Sequence, residues 1–326
     1  MQRRKLHKMF CAGALALVAK ASRAQKKIAK VGFLATGNLS ATPRILSSFK
    51  ERMHALGWVE GQNVHYLVLS ADGYVDRLDA LARRMVEEKV DVIVAGPPSS
   101  AVAARKATKL TPIVMGNVPD PITLGLAASL ARPGGNVTGV SSQTSVLVAK
   151  QMELLKQLLP GAKRIGMLVN DSNPSAVAFR ETAAIAASAL QMTLFVSAAN
   201  QPQDLAVAVQ RLTSDGVQAV VVPADPMFLG ARLVLNELLA KANQPAAFGN
   251  RDHALDGALV SYAPDIIENF RIAAGYVDRI LKGADPGQLA IGQSDKIELT
   301  LNQKTAKALG IVIPQSVLLR ADEVIR

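Results

Sequence analysis

The sequence predicts an α/β protein of two similar lobes, each on a parallel sheet, joined by a hinge that the chain crosses several times. Three observations predict it. The stretch 90–120, VDVIVAGPPSSAVAARKATKLTPIVMGNVPD, runs apolar strand, polar loop, helix, apolar strand, polar loop. Its opening run is short and rich in β-branched residues, as a buried strand is, and the whole reads as a βαβ unit with parallel strands. The same order returns at 216–252, GVQAVVVPADPMFLGARLVLNELLAKANQPAAFGNRD. An upstream pair matches as well: Lys30-Val31-Gly32-Phe33-Leu34 before Thr36-Gly37-Asn38, and Arg164-Ile165-Gly166-Met167-Leu168 before Asn170-Asp171-Ser172-Asn173. The offset stays between 127 and 134 residues, so the chain holds two related halves and not a short solenoid repeat.

In order, a strand is expected over 28–34, its loop over 36–42, and a helix from Pro43, suited to a first turn, to the stop at Leu56-Gly57. A strand over 63–69, a turn at Ala71-Asp72-Gly73-Tyr74 and a helix over 75–88 lead into the strand at Val90. Beyond Asp120, a short helix over 121–131 and a turn at Arg132-Pro133-Gly134-Gly135-Asn136 precede a strand over 137–141, read as the first crossing between lobes. The second half gives helices over 146–159, 174–190 and 204–214 around strands from Arg164 and over 193–197. After the repeated block, a strand over 258–263 returns toward the hinge and a helix follows over 265–281. The remainder, 296–326, gives a strand, a helix over 303–309 and a tail. The first lobe is therefore expected to hold 25–141 plus about 264–288, and the second 142–263 plus about 289–326.

The N-terminus reads differently. Arg3, Arg4, Lys5 and Lys8 precede an apolar run over 9–19, and Ser22-Arg23-Ala24 supplies a small-residue cleavage site. That is the pattern of a secretory signal peptide over 1–24, too short for a stop-transfer helix. Six of the 37 Lys and Arg lie there and none of the 26 Asp and Glu, which leaves 31 basic against 26 acidic side chains, a net +5. Those charges are scattered over helix faces, unlike the clustered basic face of a nucleic-acid binder. The single cysteine, Cys11, lies in the same segment outside any lipobox, so neither disulfides nor thiolate chemistry serve the mature chain.

In open parallel sheets, ligands sit outside the carboxyl ends of the strands, which singles out particular loops. Ser99 and Ser100 begin a helix after Pro98, where free N–H groups, the helix dipole and two hydroxyls suit a carboxylate; ordinary N-capping explains them equally well. Thr36, Asn38 and Ser40 form a second polar rim or a turn, and Asn117 belongs to the loop after the next strand. Asp120 reads as a cap. In the second lobe, Asn170, Asp171 and Asn173 crowd one loop. Asp225 is the candidate for a ligand ammonium, with capping as the competitor. Phe228, Phe248 and Tyr262 lie near strand ends, ready for an apolar ligand or for the core. Asn250 and Arg251 offer hydrogen bonds and charge to a ligand acid.

Several segments resemble the periplasmic substrate-binding proteins of ABC importers, in the type I family that includes tryptophan- and tyrosine-binding members. They are Leu56-Gly57-Trp58-Val59-Glu60-Gly61-Gln62-Asn63-Val64, Val90-Asp91-Val92-Ile93-Val94-Ala95 and Asp120-Pro121, then Ser129-Leu130-Ala131-Arg132-Pro133-Gly134-Gly135-Asn136-Val137-Thr138-Gly139. Tyr276-Val277-Asp278-Arg279-Ile280-Leu281-Lys282-Gly283-Ala284 and Arg320-Ala321-Asp322-Glu323-Val324-Ile325 complete the set. The resemblance covers nearly all of 28–326 and implies two Rossmann-like lobes and a small ligand, an amino acid or organic acid, held in the cleft. It also implies a periplasmic location and an ABC permease in the inner membrane as partner, with the receptor a monomer. Two departures stand out. The family often has Gly-Thr where this chain has Gly96-Pro97-Pro98, and paired glycines where it has Asp256-Gly257.

Nothing in the sequence argues for catalysis, a cofactor or a metal. His54, His65 and His253 fall in a helix, a strand and a loop without ligand spacing, and no phosphate-binding Gly-rich motif or nucleophile elbow occurs. A ligand-sensing regulator of the same two-lobed form is the competing class, but 1–27 is too short and of the wrong composition for a helix-turn-helix. A cleft enzyme lacks a nucleophile–base pair.

Overall fold

The apolar runs form the central strands of two sheets. The computed structural model describes residues 28–40, 42–142, 144–294 and 296–326; the signal and its cleavage site at 1–24 lie outside the described residues. The first lobe opens with β1 (Ala29–Ala35), α1 (Pro43–Ala55), β2 (Val64–Ser70), α2 (Leu78–Glu87) and β3 (Val92–Ala95). It continues through α3 (Pro98–Ala107), β4 (Ile113–Val118) and β5 (Val137–Ser141). The second lobe follows with α4 (Thr144–Leu158), β6 (Arg164–Val169), α5 (Ala176–Ala189), β7 (Thr193–Ala198), α6 (Leu205–Ser214) and β8 (Ala219–Val222). Next come α7 (Pro226–Gly230), α8 (Arg232–Lys241), β9 (Ala246–Phe248), α9 (Arg251–Leu255) and β10 (Val260–Pro264). The chain then gives α10 (Ile266–Leu281), β11 (Gly292–Gln293), β12 (Ile297–Asn302), α11 (Gln303–Ala308), α12 (Gln315–Leu318) and β13 (Glu323–Ile325).

The strand orders are β11-β5-β4-β3-β1-β2 and β13-β12-β10-β9-β8-β6-β7. Removing the late strands leaves β2-β1-β3-β4-β5 and β7-β6-β8-β9-β10, the same doubly wound order twice, which is the sequence repeat made physical. All pairings between these strands are parallel except β10 with β12. The middle strands β3 and β8 are buried along their whole length, as strands covered by helices on both faces must be. Each sheet accordingly separates two apolar clusters, one holding Phe33, Phe49 and Val94 against another with Leu34 and Ile93 in the first lobe. In the second lobe Ile165 and Met167 face one layer, and Leu168 and Val220 the other.

The chain passes between the sheets after β5, after β10 and after β11. The strand over 137–141, read as a crossing, is itself a member of the first sheet, and the crossing follows it. The stretch near 289–294, expected in the second lobe, stays with the first: β11 pairs with β5, and Thr138 Oγ1 donates to the Leu289 carbonyl at 2.7 Å. The helix expected over 121–131 is a series of turns, because Gly125 takes φ +65° and stops it after one turn. Asp120 heads those turns, accepting from the N–H groups of Ile122 and Thr123.

Two of the family-like segments join across 220 residues. Trp58 Nε1 donates to Asp278 Oδ1 at 2.9 Å, while Asn63 closes the Gly57–Val59 turn by donating to Gly57 O and accepting from Val59 N. These bonds clamp α10, which arrives from the other lobe, onto α1 and the first sheet. Those motifs therefore hold the two-lobed topology together and do not form the site.

Candidate functional site in the cleft between the lobes

Both sheets direct the carboxyl ends of their strands at a cavity of about 70 Å³. The first lobe contributes Thr36 and Asn38 from the β1 loop, Gly96, Pro97 and Pro98 from the β3 loop, and Asn117 from the end of β4. The second contributes Thr144, Phe179, Asp225 and Asn250. The lobes touch here: a Cβ built on Gly37 would lie 2.9 Å from the Pro226 carbonyl oxygen. The structure is thus of the closed arrangement.

The walls are mostly apolar. Phe270, the fifth residue of α10, lies over the ends of β3 and β4. A Cβ at Gly116 would come within 2.8 Å of its ring, and one at Gly96 would fall inside contact distance of its Cζ. Glycine is needed at both strand ends because the ring occupies the space. Phe33 stacks behind it at a centroid separation of 5.5 Å, with Phe49 edge-on to Phe33. Phe179, Leu229, Ile45 and Ile266 supply more apolar surface.

Polar groups are few and divide by lobe. Thr36 is 2% exposed, and its Oγ1 has no hydrogen-bond partner among the described residues; Asn117 Oδ1 is in the same condition. Both line the cavity. Asp225 is the only charged lining residue among the described residues, and its carboxylate is occupied. It accepts from Asn173 Nδ2 at 2.8 Å, from Asn170 Nδ2 at 3.2 and 3.3 Å, and from the N–H groups of Met227 and Phe228. Burial pushes its carboxyl upward in pKa, against the opposing pull of these bonds, Asn173 foremost. The capping role is thus filled in full, and Asn170 and Asn173 are spent on the same carboxylate.

Helix starts surround the cavity: Thr42 and Asn250 precede α1 and α9, and Pro98, Thr144 and Ile266 open α3, α4 and α10. Their partial positive charge favours an anionic or zwitterionic guest. At α3, however, Pro97 and Pro98 form the wall. Ser99 and Ser100 lie behind them, outside the lining, with Ser100 Oγ donating to the Pro97 carbonyl at 2.9 Å.

Five other expected residues sit elsewhere. Ser40 donates its N–H to Asn38 Oδ1 in a turn and does not reach the cavity lining. Phe228 is 1% exposed in the second lobe's core, because Asp225 starts α7 with that face inward. Tyr262 packs against the opposite core layer. Arg251 turns to Glu323 at 2.5 Å and Glu298 at 3.7 Å, so its guanidinium ties β13 to α9. Phe248 is core as well, stacked at 4.0 Å on His253. Burial, then the nearby Arg232 charge, lowers that imidazole to about 3.

Phe270, Phe33, Phe179 and Thr144 are lining residues that the sequence did not single out. Phe270 and Thr144 follow crossings and carry no local mark of the cleft. The signal that existed was indirect: glycines at two successive strand ends, Gly96 and Gly116, with a phenylalanine required to fill them.

Two lobes of one topology, crossed three times by the chain and closed on a small, largely apolar cavity, define a solute-binding receptor. The chain belongs to the ABC transporter substrate binding protein family, whose model matches residues 31–325. A tyrosine-binding protein from Clostridioides difficile is 27% identical over 261 residues, covering 80% of this chain and 75% of that protein. A structure of an ABC domain in complex with L-Trp, from Streptococcus pneumonia, superposes with a TM-score of 0.84 at 27% identity, covering 91% of this chain and 99% of that one. A conserved domain protein from Vibrio cholerae gives a TM-score of 0.86 at 29% identity, covering 91% and 100%. The family binds substrates and does not transform them, and it serves outside the cytoplasm. Among the described residues no helix is long and apolar enough to cross a membrane.

Proposed function

We propose that this chain is exported to the periplasm, loses its leader near Ala24, and captures an aromatic amino acid or a related small organic acid. It then delivers that ligand, as a monomer and without contacting nucleic acid, to an ABC permease in the inner membrane. The observation that carries the ligand class is the aromatic floor: Phe270 seated on Gly96 and Gly116, backed by Phe33, under an otherwise apolar cavity. A flat ring gains both area burial and ring–ring contact there. The ligands of two relatives, tyrosine and L-Trp, agree with such a cavity.

Mechanism follows from the geometry. Open lobes expose Thr36 and Asn117 on one side and Asn250 on the other. A ligand that touches both sides stabilises the closed state by its differential affinity for it. The permease then reads the closed shape, and ATP is consumed by the transporter.

A thermal-shift screen with L-tryptophan, L-tyrosine, aromatic acids and aliphatic amino acids tests the ligand class. Aromatic members should raise the melting temperature in a concentration-dependent way; stabilisation by aliphatic amino acids alone would reject it. Mass spectrometry of the periplasmic fraction should find an N-terminus close to Gln25, whereas an intact cytosolic chain would reject export.

A further inference from the structure

The cleft cavity offers a charged head group helix starts but no charged side chain that is free to pair with it. Among the described residues no lysine or arginine lines it, and its one carboxylate already accepts five hydrogen bonds. A carboxylate leaving water there would have helix-start N–H groups but no cation to offset its lost hydration. Ring recognition and head-group recognition therefore call for different surroundings.

A second, more polar cavity adjoins the first beside the two late crossings. Ile45, Leu229, Asn250 and Ile266 border both, and the annex adds Arg44, Arg251, Asp252, Asp265 and Glu298. Most of these charges are committed. Arg251 is held by Glu323 and Glu298, and Lys296 grips Asp265 at 3.1 Å and Glu298 at 2.5 Å. Two remain. Arg44, at the start of α1 in the first lobe, and Asp252, in α9 of the second, form no ion pair with each other or with any described residue. Between the two cavities stands Asn250, 4% exposed, whose side-chain amide likewise has no hydrogen-bond partner among the described residues.

We infer that this annex receives the charged head of the ligand whose ring occupies the main cavity: Arg44 takes the carboxylate, Asp252 the ammonium, and Asn250 orients the junction. The inference rests on the aromatic amino acid reading above and deepens it. An unpaired cation and an unpaired anion facing one small space match a zwitterion, and guanidinium geometry suits a carboxylate. Because Arg44 and Asp252 come from opposite lobes, a zwitterion bridging them favours closure. A lone organic acid would use only one of the two.

The test is calorimetry on the full mature chain with four probes: L-tryptophan, indole-3-propionate, tryptamine and indole. Arg44→Gln should weaken L-tryptophan and indole-3-propionate about ten- to a hundred-fold while sparing tryptamine and indole. Asp252→Asn should weaken L-tryptophan and tryptamine and spare the other two. Both side chains are at least partly exposed and neither caps nor pairs, so melting temperatures should hold. If the unmodified protein binds L-tryptophan and both variants bind it equally well, the annex is not the head-group site, although the aromatic reading stands. If the unmodified protein binds neither these four nor L-tyrosine, the aromatic reading falls and this inference falls with it.

Discussion

The two lobes have the same strand order and use the ends of their strands in opposite ways. The first lobe leaves its polar groups open to the cavity: Thr36 Oγ1 and Asn117 Oδ1 are buried without partners. The second closes most of its polar groups on one another, with Asp225 bound by Asn170, Asn173 and two backbone N–H groups, while the Asn250 amide stays open. Buried polar atoms without partners cost stability, and satisfied networks hold a loop in one shape. Loops at equivalent positions thus divide the work. One side keeps unspent hydrogen-bonding capacity for a guest, and the other, Asn250 apart, presents a fixed wall against which the guest is pressed.

That division predicts that the largest stability loss comes from the wall. Asp225→Ala removes the acceptor for two buried amides and the α7 cap together. Cap loss is worth about 0.5–2 kcal/mol and each buried orphaned donor about 1–3, so urea denaturation should show a loss of roughly 3 kcal/mol or more. A variant that keeps its stability but loses affinity would invert the comparison and make Asp225 a ligand group.

Next in size is the acid sensitivity of the same lobe. His253 is buried on Phe248, and its imidazole is lowered to about 3, first by burial. The unfolded chain binds a proton below about 6.5 that the folded chain refuses until about 3. This contribution is therefore fully present above 6.5 and is lost as pH falls through that window, with a slope approaching about 1.4 kcal/mol per pH unit. His253→Phe should flatten stability between pH 6 and 4 relative to the unmodified protein, measured by denaturant titration at each pH. An unchanged slope would mean that the imidazole is accessible to protons in the fold.

The aromatic floor comes third. Gly96→Ala places a methyl against the Phe270 ring and should cost about 1–3 kcal/mol by overpacking. Combined with Phe270→Leu, much of that cost should return, and the double-mutant cycle measures the coupling. Additive losses would place the strain elsewhere in the β3 loop.

Fold and site differ in how far the amino-acid sequence discloses them. The α/β architecture and the duplication are legible because apolar runs such as 90–95 and 219–222 have only one use in a protein of this size, and their order repeats. The loops that face the cleft are legible for the same reason, since strand ends in parallel sheets point one way. What each side chain does in those loops is less so. Asp225 satisfies capping and ligand readings with one sequence pattern, and only the positions of Asn170 and Asn173, some fifty residues away, choose between them. Phe228 and Phe270 are indistinguishable as letters. One starts a helix that turns it inward, while the other follows a crossing that swings it over two glycines of the opposite sheet. Arg251 is plausible at a strand end until β13, far along the chain, supplies Glu323.

The smallest expected effect is the most direct test of the first lobe's role. Thr36→Val keeps the shape of the side chain and removes a hydroxyl that has no partner among the described residues of the closed fold. If that hydroxyl is spare capacity for a guest, its loss should leave stability unchanged or slightly raised, because no protein bond is broken and an unsatisfied buried group disappears. Affinity for L-tryptophan should fall by about 0.5–1.5 kcal/mol, roughly two- to twelve-fold, the worth of one neutral hydrogen bond. Calorimetry and denaturation on the same preparation read both numbers. A stability loss without an affinity loss would show that Thr36 acts within its own loop, in the way Asp225 acts in the other lobe, and the contrast between the two lobes would disappear.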